Sequence, residues 1–197
     1  ASSAYAINYS CPFVPFPWPP MGRVNSGLLT LSDFAVSGEA ERIALPCPFS
    51  WPISTANLKR CLLVERVPVE GTEKELVIIN LHLEAYDDGE GKRAQTEQLM
   101  QEYAAGNYVV AGGDFNQAFP GTLDTWPILS EDYWTPGVLT DDMLPEGWSF
   151  ACDGSAPTCR LDNQPYDAGT QQHYVLDGFI VSPNVQVESV ETMDTGF

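Results

Sequence analysis

Positive charge is scarce in this chain. Its 197 residues carry nine Lys and Arg and two His against 27 Asp and Glu, a formal net charge of −18. A surface of that sign repels duplex nucleic acid, whose binding depends on cationic side chains that displace condensed counterions. Long apolar runs are missing too. None reaches the roughly 18 residues that mark a membrane-spanning helix. The five cysteines form no C-x-x-C pair and no Cys/His spacing of a zinc site. Being odd in number, they cannot all pair within the chain. Only Cys152 and Cys159 lie close in sequence, so a loop closure there and reduced, buried thiols both fit. No internal repeat is present.

What remains is enough for a core. Apolar residues make up 44% of the chain and charged residues only 18%, which excludes a disordered tail. The length is that of one domain with large loops. The segment "PFVPFPWPPMG" is dense in proline, which removes backbone donors and fixes φ, so neither a regular helix nor a central strand fits. A polyproline ligand for a partner is one reading of it. Its Phe and Trp content favours a rigid loop packed on a core. "SGLLTLSDF" then reads as a short strand.

"RCLLVERVPV" and "KELVIINLHLE" read as two antiparallel strands joined through "EGTEK". In the second, Val77, Ile79, Leu81 and Leu83 make one apolar face. Leu76, Ile78, Asn80 and His82 make the other, which turns polar at its far end. "GEGKRAQTEQLMQEYAAG" has helical spacing, with Thr96, Leu99, Met100 and Tyr103 in one stripe and Gly106 suited to the position just past the helix. "NYVVAG" is the next strand and runs into "GGDFNQ". Residues 119–166 read as turn-rich loops with at most one short helix. "HYVLDGFIVSP" reads as a last strand with Asp177 and Phe179 on one face. The order is mixed α/β, an α+β fold with mostly antiparallel pairing.

Two polar pairs stand out, Asn80 with His82 and Asp114 with Asn116. Each is spaced i, i+2 where a strand runs out, so each pair points one way. Gathered at one sheet rim, a His, an Asp and an Asn orient a water, hold a phosphate oxygen and stabilise developing charge. Asp177 is placed to brace one of them. Taken alone, each has a plainer reading: a hydrogen-bonded structural His, an Asx turn in GDFN, an ordinary polar Asp.

Their order along the chain resembles the endonuclease/exonuclease/phosphatase family. The matching stretches are "SGLLTLSDF", "INLHLEA", "GGDFNQ" and "VLDGFIVSP", spread over residues 22–183. The resemblance implies a four-layer α/β/β/α sandwich of two mixed, mostly antiparallel sheets, with the site at its rim. It implies hydrolysis of a phosphodiester or phosphomonoester by in-line water attack, with Mg²⁺ or Mn²⁺ as Lewis acid. On that pattern His82 contacts the scissile phosphate, Asp114 orients or deprotonates the water, and Asn116 fixes the geometry. Asp177 and Asn80 support them. Arg60 and Arg160 are weaker candidates for an anionic headgroup, with plain salt bridges as the alternative.

The pattern is incomplete at both ends. The family's metal-binding Glu on an early strand has no counterpart, since "AINYSCPF" offers only Asn8, so the metal ligands stay unassigned. No Ser-Asp-His motif closes the chain, and His173 is a poor substitute. The expectation is therefore a single domain over 1–197 that is a fragment of a longer one, inactive alone, with exposed strand edges. Given the acidity, a small or lipid-headgroup phosphate ester is favoured over duplex nucleic acid. Two other readings stand beside this one. One is a non-catalytic scaffold of the same family. The other is a glycan- or peptide-binding module built on the five Trp and eight Tyr.

Overall fold

The computed structural model describes residues 2–47, 49–51, 54, 59–84, 106–167 and 169–193. Strands dominate: β1 (Ser2–Val14), β2 (Gly22–Ser32), β3 (Glu41–Ala44), β4 (Cys61–Pro68), β5 (Glu75–His82) and β6 (Tyr108–Asp114) come first. After them come β7 (Gln117–Ala118), a four-residue helix α1 (Thr122–Thr125), β8 (Gly137–Val138) and a 3-10 turn at Asp141–Met143. The last strands are β9 (Ser149–Ala151), β10 (Cys159–Arg160), β11 (His173–Tyr174) and β12 (Asp177–Val181). The chain forms two compact units, Ala1–Ala111 and Gly112–Phe197, and the division falls inside β6.

In the first unit the strands lie in the order β3-β4-β5-β6. The β4 and β5 hairpin is the one read from the sequence, antiparallel with Leu62 opposite Leu81 and Val67 opposite Leu76. Gly71 takes φ +78 in its turn, a conformation that favours glycine, and Val69 N–H donates to Lys74 O at 3.1 Å. The alternation in β5 also holds: Val77, Ile79 and Leu81 are buried, while Leu76, Ile78, Asn80 and His82 are half-buried. Each buried member contributes roughly 1.5–3 kcal/mol through apolar burial.

β1 and β2 form a separate antiparallel pair, Tyr5 opposite Leu29 and Ala6 opposite Leu28, with register irregularities between Ile7 and Tyr9 and between Cys11 and Val14. Its inner residues Ala6 and Leu28 pack with Cys61 and Leu63 of β4. Asn80 Nδ2 ties β5 to β2 by donating to Leu29 O at 3.1 Å and Thr30 Oγ1 at 3.3 Å.

Several expectations need correction. "PFVPFPWPPMG" is not a loop packed on a core: it ends β1, turns, and enters β2, and Phe13, Phe16, Trp18 and Met21 are exposed. Pro12 is accommodated because β1 is an edge strand and lies at its second irregularity. The strand β1 itself, and β3, were not legible. "HYVLDGFIVSP" is two strands, β11 and β12, interrupted at Val175 and Leu176. The helix read at residues 89–106 lies, apart from Gly106, outside the described residues. Among the described residues the helices are too short to form helical layers.

In the second unit the order is β6-β12-β9, with small pairs β7-β8 and β10-β11 beside it. All five cysteines are free thiols, and of these only Cys11 and Cys61 are buried.

One residue of the first unit is at odds with its surroundings. Glu65 in β4 is 2% exposed, and its Oε2 has no hydrogen-bond partner among the described residues. Leaving a buried polar atom unsatisfied costs about 1–3 kcal/mol. Glu65→Met should therefore raise the melting temperature by a few degrees, at roughly 2–4 °C per kcal/mol for a chain of this size. A lower melting temperature in a thermal scan would contradict this placement.

Candidate functional site

The second unit gathers its candidates around the end of β6. Asp114 is the last residue of that strand, and its Oδ1 accepts a hydrogen bond from Asn116 N–H at 2.7 Å. Asn116 takes φ +52, a left-handed conformation that Asn tolerates better than most residues. The corner is thus an Asx turn, and it also fixes the direction of the acid.

What holds the corner in place lies beneath it. Phe115 and Phe119 are buried, their rings edge to face with centroids 5.3 Å apart. Phe119 meets Phe150 of β9 in the same manner at 5.8 Å. Phe115 N–H donates to Leu176 O at 2.9 Å, and Phe119 N–H to Val175 O at 3.4 Å. These bonds explain the break between β11 and β12, because the carbonyls there serve the corner. Asp177 follows immediately.

The glycines before the corner have separate reasons. A Cβ on Gly112 would lie 2.5 Å from the Phe179 ring, so this position needs close approach of β12. Gly113 has φ +140, which favours glycine.

Thr158 completes the arrangement. Its Oγ1 accepts from Leu176 N–H at 3.0 Å and from Asp177 N–H at 3.1 Å. Next to it sits the half-buried thiol of Cys159, which the sequence offered only as a disulfide candidate. Burial pushes this thiol above its usual range, and the negative charges of Asp114 and Asp177 push it further. The two carboxylates thus act on one sulfur. Cys159 is paired in register with Tyr174, whose hydroxyl donates to Trp134 O at 2.7 Å. That hydroxyl is pushed up to about 12, first by burial, then by Cys159 and Tyr133.

The first unit holds the remaining candidates. His82 ends β5 and is half-buried, and Asn80 bonds β2 as described. Asn8 is buried; its Oδ1 accepts from Ser26 Oγ at 3.4 Å and its carbonyl from Lys59 N–H at 2.6 Å. Arg60 is buried with Glu84, Nε to Oε2 at 3.4 Å. Arg160, in the second unit, is exposed, 3.5 Å from Asp162 and stacked over Tyr166. Both guanidinium groups are thus engaged with acidic partners. His173 stacks edge to face on Trp126, and Trp134 on Tyr174, so these two tryptophans serve internal packing.

Among the described residues no three His, Cys, Asp or Glu side chains gather as a metal-binding group. The ligands of a Mg²⁺ or Mn²⁺ ion thus stay unassigned.

No family model and no curated protein matches the chain. Solved structures do. An endonuclease/exonuclease/phosphatase family protein from Leptotrichia buccalis superposes with a TM-score of 0.54 at 12% identity, covering 95% of this chain and 63% of that one. An endonuclease/exonuclease/phosphatase from Beutenbergia cavernae gives 0.52 at 17% identity, covering 92% and 46%. This chain thus spans less than two thirds of the length of either protein, and the likeness is one of fold.

The site makes Cys159 a reporter. Replacing Asp114 or Asp177 by Asn removes a negative charge beside the thiol, lowers its pKa and enlarges its thiolate fraction at fixed pH. Alkylation of Cys159, followed by peptide mass mapping across pH 7–9, should be faster in both variants. Unchanged rates would mean that the carboxylates do not face this sulfur.

Proposed function

We propose that this chain, which has the endonuclease/exonuclease/phosphatase fold, carries catalytic residues of a hydrolase acting on phosphate esters. The observation that carries the reading is the corner at the end of β6. There Asp114 is aimed by the Asn116 backbone, beside a second carboxylate at Asp177 and over a packed aromatic base. A carboxylate fixed in direction is what in-line attack needs of a residue that orients and deprotonates water. In this reading Asp114 takes the proton, and the Asn116 amide holds the position of the attacking oxygen or of a phosphoryl oxygen. The negative charge of Asp177 favours transfer of the proton to Asp114.

His82 is assigned to the scissile phosphate, where an N–H donor stabilises developing charge. Asn80 ties its strand to β2. The four-layer α/β/β/α arrangement and the extent of a single domain over 1–197 belong to the same proposal. When bound, a divalent ion would supply charge neutralisation at phosphorus. The acidity of the chain supports a small or lipid-headgroup ester as substrate over duplex nucleic acid.

The test is hydrolysis of bis(4-nitrophenyl) phosphate and of 4-nitrophenyl phosphate, with Mg²⁺ and Mn²⁺ supplied, by the natural full-length protein. Asp114→Ala should lower kcat about 10²–10⁴-fold, the usual worth of a positioned general base, with the melting temperature held within a few degrees. Turnover that survives this substitution in a folded protein would remove Asp114 from its role. Turnover that neither Asp114→Ala nor His82→Ala affects would overturn the reading.

A further inference from the structure

The acidic residues of this chain are unevenly distributed, and one projecting element has none. Residues 1–32 contain no Asp or Glu and a single cation, Arg23, in a chain with 27 acids. These residues are the β1–β2 hairpin. The second acid-free stretch, 43–64, is the end of β3, the start of β4 and the connection between them.

The hairpin overhangs the unit it belongs to. Its contact with β4 is marked by Arg42 Nε donating to Ile7 O at 2.8 Å and Lys59 N–H to Asn8 O at 2.6 Å, close to Cys61, the first residue of β4. From Asn8 the strand continues to Val14, a further reach of roughly 20 Å at about 3.3 Å per residue. Along that stretch Cys11 stays buried and Tyr9 and Val14 half-buried, whereas large apolar side chains at the end of the strand and in the turn are open to solvent. Phe13 is 60% exposed, Phe16 75%, Trp18 87% and Met21 57%. The outer face of the hairpin adds Tyr5, Ile7, Leu29 and Leu31, all exposed. Trp51, 80% exposed, lies on the acid-free connection, whose base is closed by Leu45 N–H donating to Arg60 O at 2.9 Å.

Scattered exposed apolar residues need no explanation, but this set combines three features. It clusters at one hairpin turn, it is rich in Trp and Phe, and its hairpin has no carboxylate in a strongly acidic protein. Trp and Phe on such tips suit the boundary between lipid headgroup and acyl chain, where an aromatic body is buried beside polar groups. Freedom from acid removes the cost of bringing carboxylates to that boundary. Among the described residues no helix is long and apolar enough to cross a membrane, so the contact would be peripheral.

We propose that the tip of the β1–β2 hairpin, Phe13, Phe16, Trp18 and Met21, is a docking surface for a lipid bilayer. The net charge selects the kind of bilayer. A body of −18 is repelled by anionic headgroups, while the near-neutral hairpin enters a zwitterionic surface without that penalty. The inference stands apart from the phosphoesterase reading, since it needs neither turnover nor Asp114.

The experiment is flotation of the full-length protein with phosphatidylcholine vesicles and with vesicles carrying 30% phosphatidylserine, metal-free, followed by Trp fluorescence with brominated lipid. The expected result is binding to phosphatidylcholine, weaker binding to the anionic vesicles at low salt, and quenching of the bound protein's fluorescence. Trp18→Ser and Phe16→Ser should each weaken binding about tenfold or more, from loss of one buried aromatic side chain, without changing the melting temperature. These residues are exposed, so both variants are expected to fold. Absence of flotation with either vesicle would overturn the proposal, as would flotation that the double variant leaves unchanged. Concentration-dependent self-association in sedimentation, abolished by Trp18→Ser, would replace the bilayer by a second copy of this chain.

Discussion

The candidate site rests on the burial of Phe115 and Phe119. These two rings turn a strand end into a fixed corner, because their backbone N–H groups reach the carbonyls of Leu176 and Val175. That pairing interrupts what would otherwise be one continuous strand from His173 to Val181. Gly178 is part of the same constraint. A Cβ there would lie 2.6 Å from the Phe119 ring and 2.9 Å from Ala151 O. Thr158 satisfies the two N–H groups that the break leaves over. The polar corner is thus held from below by apolar packing.

How much of this was legible in the sequence depended on whether periodicity or context controlled each segment. The β4–β5 hairpin was legible because alternation in "KELVIINLHLE" and the turn "EGTEK" agree. The Asx character of GDFN was legible as a plain alternative, and the turn is there, since Asn116 N–H bonds Asp114 Oδ1. "HYVLDGFIVSP" misled because its alternation is unbroken in sequence, whereas the break is imposed by hydrogen bonds from residues some sixty positions earlier. Cys159 was not legible as a neighbour of the carboxylates for the same reason: only β10–β11 pairing brings it there. Proline density in "PFVPFPWPPMG" rightly argued against a central strand. It did not show that Pro12 sits at an irregularity within an edge strand, nor that Phe13, Phe16 and Trp18 are exposed.

Charge organises the chain at a coarser level. The acids that give it −18 lie outside the β1–β2 hairpin, and the two carboxylates of the candidate site belong to the second unit. The matched structures are longer than this chain, which covers 63% and 46% of them.

The most direct measurement of the central claim is amide hydrogen exchange at Phe115 and Asn116 in the native chain and in Gly178→Ala. If the corner depends on Phe119 packing against Gly178, the variant loses protection at both amides while Val77, Ile79 and Leu81 keep theirs. Protection at Phe115 and Asn116 that the substitution leaves intact would contradict the account. The position of Asp114 would then be set by the Asx turn alone.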